Sequence, residues 1–600
     1  MCETELESEL ELLSAPDSLL VSGRRRSMRV SRLDGRVEFA RCERKSDGAP
    51  CSPGSAESRP GRIFGVLGSV DLSRGTYLIV ITERQLVGRL RGHEVWRVGE
   101  ARIVPYAQEE GREDPGDDEN RYLALLKEVL AMPLYFSYTL DLTSRFQRSF
   151  GGREREMWRG VDRRFWWNRY LITRLLSLEK DDSVPEGASA FILPVMMGSV
   201  TICDSTVDGR DLQLALISRR HTRRAGARYL VRGIDRSGAV ANFVETEQIL
   251  VDVKNNALLS FVQLRGSIPL FWSQPLTTKY TPDVRINRSP DALEAFLKHF
   301  DDIRTTYDAK LILCVSLVNQ LGKESHLAKE YIETVEKAHY PNLTLVSFDF
   351  HKHCSGNQYH NLELLHRQID PYLDSVGWFH CLDGQALQLQ HGVIRTNCID
   401  NLDRSNLVQS SIASKVLVKQ LQLLSLTHSD HLSSIPNLFR SFRHAWADNA
   451  DALSVQYAGT RALKTDYTRT GKRGYAGMLS DAYHSVLRYL LNNFKDGSKQ
   501  DAYNLFLGIY RVQPNAPSPF ERDRGRKQTL TMLALILCLL VSIGLTPSFL
   551  KHTLLAPLCW AALLAAVALL SKKYGSLLVC LPCLSSSRAP PRASRRSLVQ

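Results

Sequence analysis

Apolar and polar positions alternate along residues 77–82 and 85–90, and again along 93–98. A period of two predicts strands, the first pair forming a hairpin. Residues 125–148 and 162–176 repeat their apolar positions every three or four residues and predict helices. Asp, Pro and Gly then crowd into residues 181–187, a predicted boundary that closes a β-rich α+β unit at 62–188. Beyond it strand and helix signals take turns. Residues 311–318 (LILCVSLV) and 343–350 are short apolar runs, and 387–396 alternates with β-branched residues. Helical patterns lie between, at 291–300 and 323–338. Another follows at 405–424, with Leu407, Ile412, Val416, Leu421 and Leu424 in one stripe. This order predicts an α/β catalytic domain over 189–515, with its site at the carboxyl end of a strand.

The ends of the chain read differently. Residues 1–61 are polar, with alternating glutamates followed by Arg24–Arg26 and a Ser/Gly/Pro-rich run, so a disordered extension is expected. Residues 108–120 form an acidic surface loop. After a basic linker at 516–528 come two uncharged runs, 22 residues at 529–550 and 18 at 553–570, separated by Lys551 and His552. Each approaches the roughly 20 residues that cross a bilayer, so two transmembrane helices are expected within 529–571. Lysine and arginine flank their outer ends, which puts the catalytic domain and a basic tail, 572–600, in the cytosol.

A net charge of +13 over 600 residues implies an anionic partner. No finger or recognition-helix pattern supports nucleic acid. The 12 cysteines have no spaced framework, so the body is expected to be reduced. Only Cys398 is followed six positions later by an arginine, Arg404. That spacing suits cysteine-based phosphate-ester chemistry. A loop that bends its N–H groups toward one centre at the start of a helix makes an anion nest. The nest and the guanidinium favour the thiolate, which is the nucleophile. Asn397 and Asn401 can adopt the left-handed backbone that a glycine-free loop needs.

The string Arg395-Thr-Asn-Cys-Ile-Asp-Asn-Leu-Asp-Arg-Ser-Asn406 resembles the catalytic loop of the Sac-domain phosphoinositide phosphatases. So do the stretches at 77–82, 191–195, 228–235, 242–248, 265–274, 445–450, 457–460 and 468–473, in that family's order. The resemblance covers about residues 62–512, and two residues depart from it. Asn401 stands for the usual second cysteine, which removes a partner thiol inside the loop, and Ser405 stands for the usual threonine. The resemblance implies a membrane-anchored phosphatase of phosphatidylinositol monophosphates, the 4-phosphate first and the 3-phosphate also, in the endoplasmic reticulum and Golgi. Cys398 would attack phosphorus, and Arg404 with the loop residues Asn397, Ile399, Asn401, Leu402 and Asp403 would hold the phosphate. No metal or other cofactor is needed where arginine and amides supply the positive charge.

For the general acid, a phosphate dianion beside Asp400 would raise its pKa, which makes Asp400 the expected donor. Asp403, which could instead orient Arg404, and Asp448 stay open as alternatives. Lys464 and residues 468–473 are expected headgroup contacts, and Arg219 and Arg220 form a second basic run. His351, His353, His360 and His366 match no standard zinc spacing. Cys580 and Cys583 are expected to be inert. A phosphoinositide-binding adaptor without activity, and a protein phosphatase sharing the Cys-to-Arg spacing, are the competing readings.

Overall fold

The computed structural model describes residues 6–41, 61–108, 116–150, 156–178, 187–277, 279–355, 358–513, 516–521 and 579–584. The two uncharged runs lie outside them. Among the described residues no helix is long and apolar enough to cross a membrane.

The architecture is mixed α/β around a 13-stranded sheet. At one end the strands are parallel: Leu311–Ser316 lies between Leu343–Ser347 and Gly392–Asn397, and Gly392–Asn397 pairs in parallel with Ala257–Arg265. From there the sheet turns antiparallel through Val244–Asp252, Arg210–Arg220, Met196–Val207, Leu134–Phe136, His93–Gln108, Gly75–Leu90 and Gly65–Asp71. Helices pack on the parallel part. Leu365, Ile369 and Leu373 of the helix Leu362–Val376, and Val408, Ile412 and Val416 of the helix Asp403–Leu423, bury against Leu313, Val315 and Ile394. The periodic stripe expected at 405–424 is therefore a core face. Trp446, from the helix Pro436–Ala458, is fully buried against the strand residues Leu214, Leu216 and Leu259. Truncating such a side chain costs about 3–5 kcal/mol.

Several expectations change. Residues 77–82 and 85–90 do not make a hairpin. They are one 16-residue strand, Gly75–Leu90, bent by register shifts and paired with His93–Gln108 across Arg91 and Gly92, both at positive φ. Bulges re-aim side chains without ending a strand, which an alternation pattern reads as an end. The helix expected at 125–148 is Asp117–Leu130, and the helix at 162–176 shrinks to a single turn and Thr173–Leu178. The boundary expected at 181–187 does not part the strands, because Leu134–Phe136 pairs with both His93–Gln108 and Met196–Met197.

The disorder expected at 1–61 is corrected over 6–41, and the rest of that span up to residue 60 lies outside the described residues. Strands Leu10–Ser14, Ser18–Ser22, Arg26–Ser31 and Val37–Arg41 join Gly61–Ile63 in a five-stranded antiparallel sheet. Leu10, Leu12, Leu19 and Val21 share one core with Val80, Trp166 and Phe191. Of the alternating glutamates Glu11 stands in the strand Leu10–Ser14, half-buried between the buried Leu10 and Leu12. Within the expected basic tail, Cys583 and Leu584 donate their backbone N–H groups to Asp501, at 2.8 and 2.6 Å. Leu584 is buried there.

Candidate active site

The strand Gly392–Asn397 delivers its chain end between two parallel neighbours, and the helix Asp403–Leu423 starts five residues after Cys398. The intervening loop reverses at Asn401, whose φ of 53° is the left-handed conformation an asparagine tolerates. Asn397 stays extended within the strand. Two hydrogen bonds close the loop. The Asn401 N–H donates to Cys398 Sγ at 3.1 Å, and Asn401 Oδ1 accepts from the Cys398 N–H at 2.9 Å. The Ser405 hydroxyl, at 3.4 Å, donates to the same sulfur. Of the two family departures, Ser405 gives the sulfur a side-chain donor, and the Asn401 side chain binds the Cys398 backbone while its own N–H, which any residue would bring, reaches the sulfur.

The sulfur lies 1 % exposed, among Val408, Ile412 and other apolar side chains. Arg404 reaches across the loop and donates to the Leu317 carbonyl at 3.2 Å and Asn319 Oδ1 at 3.1 Å, with Glu324 at 3.3 Å. Burial alone would lower its pKa. The nearby Cys398 and Glu324 outweigh that and hold the guanidinium charged.

Asp400 is not placed as a proton donor. Its two carboxylate oxygens face Arg228 and Arg232, each at 2.6 Å. Burial pushes its pKa up, but the two guanidiniums prevail and hold the carboxyl well below the usual range. The expected repulsion from a phosphate dianion meets a countercharge that is already in place. Arg232 also donates to the Ile399 carbonyl at 2.8 Å, and Asn242 to the Asp400 carbonyl at 3.3 Å, so this cluster fixes the loop backbone. Asp403 accepts from the Leu463 N–H at 2.8 Å and from Arg488 at 3.3 Å, which ties the helix start to the 460s loop. Asp448 is exposed and paired with Arg469 at 2.8 Å. In its helix it is Asn449, donating to Asn406 at 3.1 Å, that braces the catalytic loop.

Other expected contacts separate into two groups. The Asn397 side chain turns into the sheet and bonds Ser316 and Arg395, both at 3.3 Å, so it positions the strand and does not face a substrate. Ile399 packs in the core and Leu402 packs against Tyr457 and Ala458. Lys464 is exposed, with its ammonium 5.7 Å from the Tyr359 ring centre and within electrostatic reach of Asp403 and Arg404. Arg469 and Arg473 are taken by carboxylates. The Arg219–Arg220 run is buried: Arg219 pairs with Glu245 and Glu247, at 2.9 and 2.8 Å, and Arg220 bonds Tyr503 at 2.9 Å. Period-two strand geometry, not a basic surface, explains that run. Among the described residues no cluster of His, Cys, Asp or Glu could hold a metal ion. His353 stacks on Phe348, and His366 bonds Ser411 at 2.7 Å.

The sequence pattern missed Arg265. It ends the strand beside the one that leads into Cys398, in register with Thr396, and is 1 % exposed. Among the described residues its Nε and Nη2 have no hydrogen-bond partner. Burial pulls its pKa down to about 10 against the opposing influence of Cys398 and Asp403. A guanidinium buried without a partner is costly unless an anion arrives. Arg265, like Arg228 and Arg232, stood within the stretches that carry the family resemblance, but a linear sequence does not tell which arginines lie inside.

Comparison with known proteins gives the family. Residues 64–355 match the SacI homology domain. The chain is 40 % identical to phosphatidylinositol-3-phosphatase SAC1-B of Danio rerio over 470 residues, 77 % of this chain and 78 % of that one. It is 36 % identical to phosphatidylinositol-3-phosphatase SAC1 of Drosophila melanogaster over 96 % of each chain. It is 37 % identical to phosphatidylinositol-3-phosphatase SAC1 of Saccharomyces cerevisiae, over 80 % of this chain and 77 % of that one. With this coverage, and a cysteine–arginine loop held between parallel strands and a helix start, the chain belongs to the SacI-homology phosphoinositide phosphatases.

Proposed function

We propose that the chain removes the phosphate of phosphatidylinositol monophosphates, chiefly the 4-phosphate and also the 3-phosphate, through a phosphocysteine at Cys398. The observation that carries this reading is the sulfur held by two donors beside an unpaired, buried guanidinium. The thiolate attacks phosphorus, an S–P bond forms and the P–O bond to inositol breaks. The inositol oxygen leaves and takes a proton from solvent water. Water then attacks the same phosphorus, releasing inorganic phosphate and the thiolate. Arg265 and Arg404 would hold the equatorial oxygens, on which charge builds. Lys464 would meet the headgroup at the rim. Because the sulfur is 1 % exposed, the loop must shift outward for substrate to reach it.

The reading places the enzyme in the endoplasmic reticulum membrane, and in the Golgi, through two spans within 529–571. One observation supports an even number of crossings: Phe520 and Cys580, on either side of that stretch, line the same cavity. Phosphate release by the full chain in detergent, from short-chain phosphatidylinositol 4-phosphate, tests the mechanism. Turnover is expected with or without a chelator and is expected to vanish in Cys398→Ser. Undiminished turnover in that variant refutes the phosphocysteine. Headgroup binding without any release would turn the reading into an adaptor.

A further inference from the structure

A cavity of about 500 Å³ shares no lining residue with the catalytic loop. Its size falls within the roughly 300–1,000 Å³ of small-molecule sites. Five arginines line it, Arg163, Arg169, Arg223, Arg224 and Arg511, against a single carboxylate, Asp235. Asp235 is already engaged: its Oδ1 accepts from the Ser237 N–H at 2.9 Å, the Ser237 hydroxyl at 2.6 Å and the Ala239 N–H at 3.1 Å. Among the described residues, Arg163, Arg169, Arg223 and Arg511 make no ion pair.

Three further observations point to a missing anion. The Arg224 Nε is buried without a partner. Burial and the neighbouring Arg163 both depress the pKa of Arg169, so the cations are held together against their own repulsion. The guanidinium of Arg511 stacks 5.4 Å above the Tyr170 ring, which leaves an aromatic wall beside the charges. Like charges gathered in a concave site without a counterion destabilise the empty state, and a multiply charged anion relieves that cost. Arginine's planar fork suits phosphate oxygens.

We infer that this cavity is a second anion site that takes a phosphorylated polyol headgroup. The ligand chemistry is a phosphate monoester on a compact polar ring, carried by a lipid or by a soluble molecule. Arg511 lies on the segment leading to the uncharged run at 529–550, which favours a lipid at the same bilayer. The site differs from the catalytic one in that no cysteine lines it.

The test uses the full chain in detergent with Cys398→Ser as background, so that no probe is consumed. Inositol 1,4-bisphosphate, inorganic phosphate and phosphatidylcholine vesicles with or without phosphatidylinositol 4-phosphate are titrated against it and against the same chain with Arg163→Gln and Arg223→Gln. Two binding phases are expected in the background chain, with one of them weakened about tenfold in the double variant. The lysine pair, Arg163→Lys with Arg223→Lys, is expected to keep most of that phase. Loss for vesicles alone assigns the site to a lipid headgroup, and equal loss for inositol bisphosphate assigns it to the headgroup wherever it is carried. With Cys398 restored, the glutamine pair is expected to turn over soluble substrate within about twofold of the parent, which separates this site from the catalytic reading. A single phase that the glutamine pair leaves unchanged overturns the proposal. So does an equal loss in the lysine pair together with a lower melting temperature, since that marks the arginines as structural.

Discussion

Arg219 and Arg265 stand on strands of one sheet, and each is 1 % exposed. Arg219 is satisfied on every side. Its Nε donates to the Leu142 carbonyl at 2.7 Å, its Nη1 pairs with Glu245, and its Nη2 meets Glu247 and the Ser144 carbonyl. These carboxylates raise its pKa against the cost of burial. Tyr307 and Arg164 extend the same network through Glu245. Arg265 has no such company, and burial pulls its pKa down to about 10. Identical chemistry and burial thus serve opposite ends. A buried cation with partners holds the fold, and one without partners is kept for something that comes and goes.

Substituting the two arginines tests this contrast most strongly. Arg219→Gln leaves Glu247 buried without its countercharge and Glu245 with Arg164 alone at 3.7 Å, and is expected to cost about 3–5 kcal/mol of stability. The fraction still folded should keep its specific activity. Arg265→Gln is expected to lower kcat by about 10²–10³-fold, the scale of losing one donor to a developing oxyanion. Its melting temperature should be unchanged or raised, because an uncompensated charge leaves the interior. Reversal of the two results, with Arg265→Gln unfolding the chain and Arg219→Gln sparing it, would break the comparison.

Acid should weaken the paired region next. Burial, with Arg164 and Arg223 nearby, pulls the pKa of His221 down to about 3. Its Nδ1 accepts from the Arg223 N–H at 2.8 Å, so the neutral ring is the bound form. A histidine held neutral contributes stability fully above its unfolded pKa near 6.5, and loses it as pH falls toward the folded value. Unfolding free energy should therefore drop by about 2–3 kcal/mol between pH 7 and pH 4.5 from this group. His221→Asn should remove that portion of the slope.

Asp400 sharpens the contrast inside the loop. Asp400→Asn breaks its pairs with Arg228 and Arg232, and a loss of about 2–3 kcal/mol is expected for these partly buried bonds. The alkaline limb of the pH–rate profile reports the general acid. It should stay in place in Asp400→Asn, whereas a donor role for this residue would remove it. The smallest effect belongs to Ser405. Ser405→Ala forfeits the hydroxyl at the sulfur, about 1 kcal/mol or roughly fivefold in rate at neutral pH. Ser405→Thr should stay close to the parent.

The sequence made the nucleophile loop legible because strand, cysteine, asparagine turn and helix start are local features, and each has its own pattern. Asn401 reversing the chain is one such feature, and the buried stripe from Leu407 to Leu424 another. Partners distant in sequence were not legible. Asp400 and Arg228 are separated by 172 positions, and nothing between them marks the pair, so the acid expected there became a clamp. The same blindness made Arg219 and Arg220 look like a surface run. The long strand Gly75–Leu90 was misread because bulges interrupt alternation as turns do. The N-terminal strands were misread because composition averages over the two faces that a sheet keeps apart.

That N-terminal sheet has a practical consequence for handling the molecule. A fragment cloned from residue 62, the start suggested by the family resemblance, would discard four strands and strip the cover from Val66, Leu78, Val80 and Tyr106. Such a raw apolar face invites self-association. Soluble, active material should therefore require a start before Leu10, and inclusion bodies from the shorter fragment would report a missing lid rather than an unstable catalyst.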